Sequence, residues 1–126
     1  MSVKKTTITV DLMGGENSPY KTLKGTEIFS SQNKDIHLIL LGDEKKIKDS
    51  IKANNININN YIIENTINNI KDIDTANTIL RKRKDSSIFK GLSLVKDNKA
   101  SGFVSAGNTA ALMILSRSIL GMVKGI

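Results

Sequence analysis

Residues 36–41 read Ile-His-Leu-Ile-Leu-Leu, and this run constrains the fold more than any other stretch of the chain. In an extended strand, successive side chains point to opposite faces. Here both faces are apolar and both must be covered, which suits a parallel strand between two layers of helices. Residues 6–12 are β-branched and alternating and make a second good strand, and residues 61–64 and 101–105 make two shorter ones. Helical stretches separate them. One helix is expected over about residues 19–31, with Ser18 as N-cap, Pro19 at the first helical position and a thin apolar stripe around Leu23. A second spans about residues 43–53, with acids in its first turn and Ile47 and Ile51 four apart on one face. Residues 65–74 form a connection without a clear pattern. Further helices are expected from near Thr75 through Arg81, from Ser86 to near Asp97 and Asn98, and from Asn108 to Met122. Ile88, Leu92 and Val95 share one side of the middle one. Strands alternating with helices predict an α/β domain with a mainly parallel sheet and right-handed crossovers, the strand order being left open.

At 126 residues the chain is one domain, residues 1–126. It has no cysteine, which excludes disulfides, thiolate metal sites and a cysteine nucleophile. No spacing of His and carboxylates suits a metal. The turn at Gly14 and Gly15 is neither a GxGxxG loop nor a P-loop, so nucleotide binding lacks support. His37, the one histidine, starts a strand at the edge away from where α/β sheets bind ligands, and reads as a bystander. Neither an apolar leader core nor a membrane-spanning run is seen, so a soluble, cytoplasmic protein is expected. The net charge of +7 admits nucleic acid, anionic lipid or a small anionic substrate. Three Phe, two Tyr and no Trp offer few stacking platforms, which argues against a nucleic-acid partner. The Asn- and Ile-rich residues 54–70 read as compositional drift, with apolar residues still recurring where a strand needs them.

Residues 81–112 concentrate the chemistry. Arg81-Lys82-Arg83-Lys84 precede a helix start at Asp85-Ser86-Ser87, and the strand over residues 101–105 leads into a second helix start at Ala106-Gly107-Asn108-Thr109. Helix N-termini present unpaired N–H groups and a positive partial charge, so two of them near four cations suit a phosphate. The loop at Gly14 and Gly15 lies at the same carboxyl-terminal edge of a parallel sheet.

These residues carry a resemblance. Asp11-Leu12-Met13-Gly14-Gly15-Glu16-Asn17-Ser18-Pro19 resembles the amino-terminal Asp-x-Met-Gly-Gly-Asp-x-x-Pro signature of the bacterial phosphate acyltransferases. Leu40-Leu41-Gly42-Asp43 resembles their second-strand turn. Lys84-Asp85-Ser86-Ser87 and Val104-Ser105-Ala106-Gly107-Asn108-Thr109-Ala110-Ala111 resemble their next two signatures, in order and spacing. Glu16 stands in place of Asp, Ala110 in place of Gly, and Glu64-Asn65-Thr66 where the family carries a His-containing segment. The likeness covers the whole chain but only about the first third of a usual family member.

The resemblance implies a three-layer α/β/α fold, similar to phosphate acetyltransferases and to isopropylmalate dehydrogenase, here truncated. It implies acyl transfer from acyl carrier protein to inorganic phosphate, giving acyl phosphate for phospholipid synthesis. It also implies a homodimer in the cytoplasm, associating peripherally with the membrane through the downstream glycerol-3-phosphate acyltransferase. Neither metal nor organic cofactor is implied.

Acyl transfer to phosphate needs a polarised thioester carbonyl and a phosphate held in line. The family motif singles out Lys84 to hold phosphate charge, with Arg81 in support; Arg81, Lys82 and Arg83 otherwise read as a solvated helix end. Ser86 and Ser87 either cap the following helix or donate to a phosphate oxygen. Ser105, Asn108 and Thr109 face the same choice. Gly107 gives backbone access, and the N–H groups after Asn108 suit phosphate or an oxyanion. Asp11 either hydrogen-bonds the turn or orients a substrate group. Gly14 and Gly15 are needed for the turn, and Asn17 is a candidate polar contact. Catalytic roles fall to Lys84, Ser105 and Asn108, and phosphate or substrate binding to the others. Two other functions compete: a truncated remnant without turnover, whose sheet would expose an apolar edge, and a basic anion-binding module built on Arg81 to Lys84.

Overall fold

The structure is a computed structural model that describes residues 5–67 and 85–125. Its elements run β1 (Thr7–Asp11), α1 (Tyr20–Gln32), β2 (His37–Gly42), α2 (Glu44–Ala53), β3 (Tyr61–Asn65), α3 (Ser87–Lys96), β4 (Gly102–Val104) and α4 (Thr109–Leu120). The helix expected over residues 75–81, and most of the connection over residues 65–74, lie outside the described residues.

The four strands form one parallel sheet in the order β3-β2-β1-β4. β1 is central, with Val10 opposite Leu40 on one side and Val104 on the other. The apolar run over residues 36–41 behaves as its pattern requires. Leu38 and Leu40 join Leu23 of α1, Ile47 of α2 and Leu12 in one core cluster. Ile39 and Leu41 join Leu94 of α3 and Ala100 in another. A third cluster, Ile88 and Leu92 with Ala111 and Leu115, holds α3 against α4. Two helices therefore cover each face, which is the three-layer α/β/α arrangement expected. Among the described residues no helix is long and apolar enough to cross a membrane.

Two local expectations are corrected. Ser18 does not cap α1. Its hydroxyl donates to the carbonyls of Gly14 at 2.6 Å and Gly15 at 3.0 Å, folding the glycine loop on itself, and the helix starts at Tyr20 without a side-chain cap. The Asn-rich stretch is ordered for a reason. Asn55 and Asn60 occupy the left-handed region, at φ 51° each, which Asn tolerates better than most residues. Ile56 and Ile58 between them are buried in the core although they belong to no strand. Glu27 of α1 anchors this stretch by accepting the Asn57 N–H at 2.7 Å. That bond, with help from Lys24, holds the Glu27 carboxyl below its ordinary pKa.

Two helical glycines differ in what surrounds them. A Cβ on Gly91 in α3 would overlap the Phe103 ring, whereas a Cβ on Gly25 in α1 would meet nothing within 4 Å. Alanine is the better helix former by about 1 kcal/mol, so Gly25→Ala should raise stability by roughly 0.5–1 kcal/mol. Gly91→Ala should lower it by roughly 1–3 kcal/mol, because the added methyl overpacks the core. Urea midpoints of the two variants should move in opposite directions; movement in the same direction would contradict this packing.

Candidate functional site

The loop after β1, the start of α3 and the loop after β4 meet at the carboxyl-terminal edge of the sheet, and Asp11 ties them together. Asp11 is the last residue of β1 and is only 2% exposed. Its Oδ1 accepts the Met13 N–H at 3.0 Å and the Ser87 hydroxyl at 2.6 Å. Its Oδ2 accepts the Ser105 hydroxyl at 2.8 Å. Ser105 Oγ in turn accepts the Gly107 N–H at 3.1 Å. A buried carboxylate needs such partners, and charge-assisted hydrogen bonds of this kind are the strong ones.

The backbones beside it are in direct contact. A Cβ on Gly14 would lie 2.6 Å from the Gly107 nitrogen and 2.7 Å from Asp11 Oδ2, so only glycine fits there. Gly15 adopts φ 86° next to the Ala106 carbonyl. Thr22 of α1 donates its hydroxyl to the Leu12 carbonyl at 2.8 Å and fixes the loop from behind.

Both helix starts are capped by side chains. Ser86 Oγ accepts the Phe89 N–H at 3.1 Å, and Asn108 Oδ1 accepts the Ala111 N–H at 2.9 Å. Each cap satisfies the third amide of its helix; the two before it, of Ser87 and Ile88 in α3 and of Thr109 and Ala110 in α4, have no intrahelical partner. A cavity of about 30 Å³, lined by Asp11, Met13, Gly14, Ser87, Ile88, Gly107 and Asn108, lies between the two helix starts. Its walls combine two helix N-termini, whose partial charge favours anions, with a floor fixed by a single carboxylate.

The structure thus brings Asp11, Gly14, Ser87, Ser105, Gly107 and Asn108 together. Ser86 is buried and faces inward as a cap, and Thr109 is the exposed first residue of α4. Asn17 is exposed, in the left-handed region at φ 58°, and does not line the cavity. Lys84 and Arg81 lie outside the described residues. His37 starts β2 at the opposite edge. The sequence alone did not point to Met13 or Ile88, which line the cavity through local backbone and helix position. Of the two roles open for Asp11, the turn hydrogen bond is present through Met13, and two serine hydroxyls distant in sequence join it. Among the described residues no group of three or more His, Cys, Asp or Glu is placed to hold a metal.

The chain is thus a parallel α/β unit with a small cavity at the strand ends, the edge at which open α/β sheets in general hold ligands. Comparison with known proteins narrows the class. The fatty acid synthesis protein family model matches residues 6–126, and the chain belongs to that family. It is 37% identical over 119 residues to a phosphate acyltransferase of Clostridium tetani, covering 94% of this chain and 36% of that protein. Phosphate acyltransferases of Malacoplasma penetrans and Streptococcus mutans are each 38% identical, over 117 and 119 residues, with 34% and 35% of their lengths covered. The chain spans about a third of the length of the curated relatives it matches.

Asp11→Ala removes the acceptor of one buried and one partly buried hydroxyl and of a backbone amide, and should cost about 3 kcal/mol or more. Asp11→Asn keeps the shape and one acceptor oxygen and should cost less. Asn108→Ala loses a helix cap and should cost about 1 kcal/mol. Urea unfolding of the three variants should rank them in that order, with Asp11→Ala the least stable.

Proposed function

We propose that this edge of the sheet binds inorganic phosphate and takes part in acyl transfer from acyl carrier protein, forming acyl phosphate for phospholipid synthesis. The observation that carries the proposal is the convergence of two capped helix N-termini on one cavity, in a chain of the fatty acid synthesis protein family whose relatives are named phosphate acyltransferases. In the reaction a phosphate oxygen attacks the thioester carbonyl carbon, the carbon–oxygen bond forms, and the carbon–sulfur bond breaks. The carrier thiolate leaves and takes a proton from solvent. The first-turn amides of α3 hold phosphate oxygens, with Lys84 supplying positive charge. The first-turn amides of α4 stabilise the oxyanion that develops on the carbonyl.

Asp11 acts as a positioning residue in this scheme, not as a phosphate ligand. Its charge would repel the dianion, and its oxygens already accept from Met13, Ser87 and Ser105. It fixes the Ser105 hydroxyl and, through it, the Gly107 N–H, so the loop before α4 keeps one shape. Ser86 and Asn108 preserve the two helix starts as caps, and Gly14 and Gly15 allow the loops to approach. The same proposal includes a homodimer, action in the cytoplasm, and peripheral membrane association beside the acyltransferase that consumes acyl phosphate.

A second reading is a chain of the same lineage that gives no turnover by itself, and it is favoured by the one-third coverage of the relatives. One assay separates the two. Purified chain is mixed with acyl-acyl carrier protein, and release of the carrier thiol is followed against phosphate concentration. Phosphate-dependent release that falls at least tenfold in Asn108→Ala, with Asp11→Asn lowering the maximal rate more than the apparent affinity for phosphate, supports catalysis at this edge. A rate no higher than buffer supports the second reading.

A further inference from the structure

A second groove opens at the same edge of the sheet, on the β3 side. It holds about 630 Å³ between the start of α2 and the end of β3, within the volume range of small-molecule sites. The strand order puts β3 two strands from β1, about 10 Å at the usual strand spacing. The end of β3 is held firmly. Glu64 pairs with Lys90 of α3 at 3.1 Å. Asn65 Oδ1 accepts the Glu44 N–H, the first of α2, at 2.9 Å. The Thr66 N–H donates to the Gly42 carbonyl at 2.8 Å.

Thr66 points to a ligand. It lines the groove and is only 7% exposed, and its hydroxyl has no hydrogen-bond partner. No other buried side-chain oxygen or nitrogen among the described residues is in that position. Such a hydroxyl is costly to bury, and valine would fill the same space without the cost. The start of α2 leaves a second group open. Its first amide is bound by Asn65 and its third by Asp43 Oδ1 at 3.1 Å, so the Lys45 amide between them has no intrahelical partner.

Charge and surface then define the class of ligand. Asp43, Glu44 and Asp49 set three carboxylates against the ammonium groups of Lys45 and Lys48, and Lys48 already pairs with Glu44 at 2.8 Å. The lining is therefore negative on balance, which disfavours an anion. Among the described residues no group of three or more acids or histidines is placed to hold a metal. Ile67, 79% exposed, adds an apolar surface to the polar lining. A matching ligand is neutral, offers hydrogen-bonding groups to the Thr66 hydroxyl and the Lys45 amide, and carries an apolar branch for Ile67. We infer that this groove binds the pantetheine arm of the acyl donor, a neutral chain of amides and a hydroxyl beside a dimethyl-branched carbon. The inference rests on the acyl-transfer reading of the Asp11 edge, to which the thioester end of the arm must extend.

Free D-pantetheine tests it, since it carries no carrier protein, acyl group or phosphate. Titrated into the nitrogen-15-labelled chain, it should give saturable shifts of the Lys45, Thr66 and Ile67 amides and leave those of Gly107 and Asn108 in place. Thr66→Val should weaken binding about tenfold, the equivalent of one hydrogen bond, with a melting temperature unchanged or higher. Thr66→Ser should keep most of the affinity. The inference is overturned by an absence of saturable binding, by shifts centred on Gly107 and Asn108, or by equal binding to Thr66→Val. Equal shifts with glycerol would make the groove a general polyol site, and shifts with inorganic phosphate at Lys45 and Thr66 an anion site; either result also overturns it. Binding and turnover separate the two proposals. A chain that binds pantetheine at Thr66 but gives no phosphate-dependent thiol release retains this inference and loses the acyl-transfer reading. Turnover of acyl-pantetheine with the same KM in Thr66→Val as in the unchanged chain does the reverse.

Discussion

One buried carboxylate holds the carboxyl-terminal edge of this sheet together. Asp11 ends the central strand, and its two oxygens receive a backbone amide from its own loop and hydroxyls from Ser87 and Ser105. A charge at this depth is costly unless every lone pair is used, and here the partners come from three separate segments. The bonds that satisfy the charge therefore also fix where α3 begins and how the chain turns into α4. The close contact of Gly14 with Gly107 depends on the same arrangement, since both backbones lie against Asp11 Oδ2.

The division of labour among the polar side chains follows from who donates to whom. Ser87 and Ser105 spend their protons on Asp11, and Ser86 and Asn108 spend acceptor oxygens on helix amides. Serine-rich helix starts invite a picture in which hydroxyls grip an anion. The geometry instead assigns these side chains to shaping the edge, with Ser87, Ile88, Gly107 and Asn108 lining the cavity between the two helix starts. Lys90, one turn into α3, pairs with Glu64 of β3 at 3.1 Å and braces that helix against the far side of the sheet.

Much of this was legible in the residue pattern, and the gaps have physical causes. The apolar run ending at Leu41 specified a strand covered on both faces, and the two sets of alternate residues do enter different core clusters. Ser86 and Asn108 read as either caps or ligands and both cap, while Asp43, read as a first-turn acid, proves to be the cap of α2. Ser18 followed by Pro19 looks like the same signal, but hydroxyls also bond backward to carbonyls, and that local competition wins where two glycines precede it. The Asp11 network was not legible as a network. Which of many serines meets one carboxylate is decided by the pairing of β1 with β4, and no local pattern encodes that pairing. Ile56 and Ile58 show the limit from the other direction: strand-like spacing, true burial, and no strand.

The sheet order has a consequence for the order of events as the chain is made. Of the four described strands β1 is made first, yet one of its neighbours is made last. Ser87 and Ser105 follow Asp11 by 76 and 94 residues. At roughly 5–20 residues per second, translation leaves the Asp11 carboxylate without Ser105 for on the order of 5–20 s after it has been made. β1, β2 and β3 can pair during that interval with α1 and α2 on one face, because their contacts are nearer in sequence. The carboxyl-terminal edge closes only when the long-range contacts arrive, and contacts of such separation are the slow ones to form. The nascent domain is thus a scaffold first and a site second, with the polar edge of its central strand open to water until the last strand pairs.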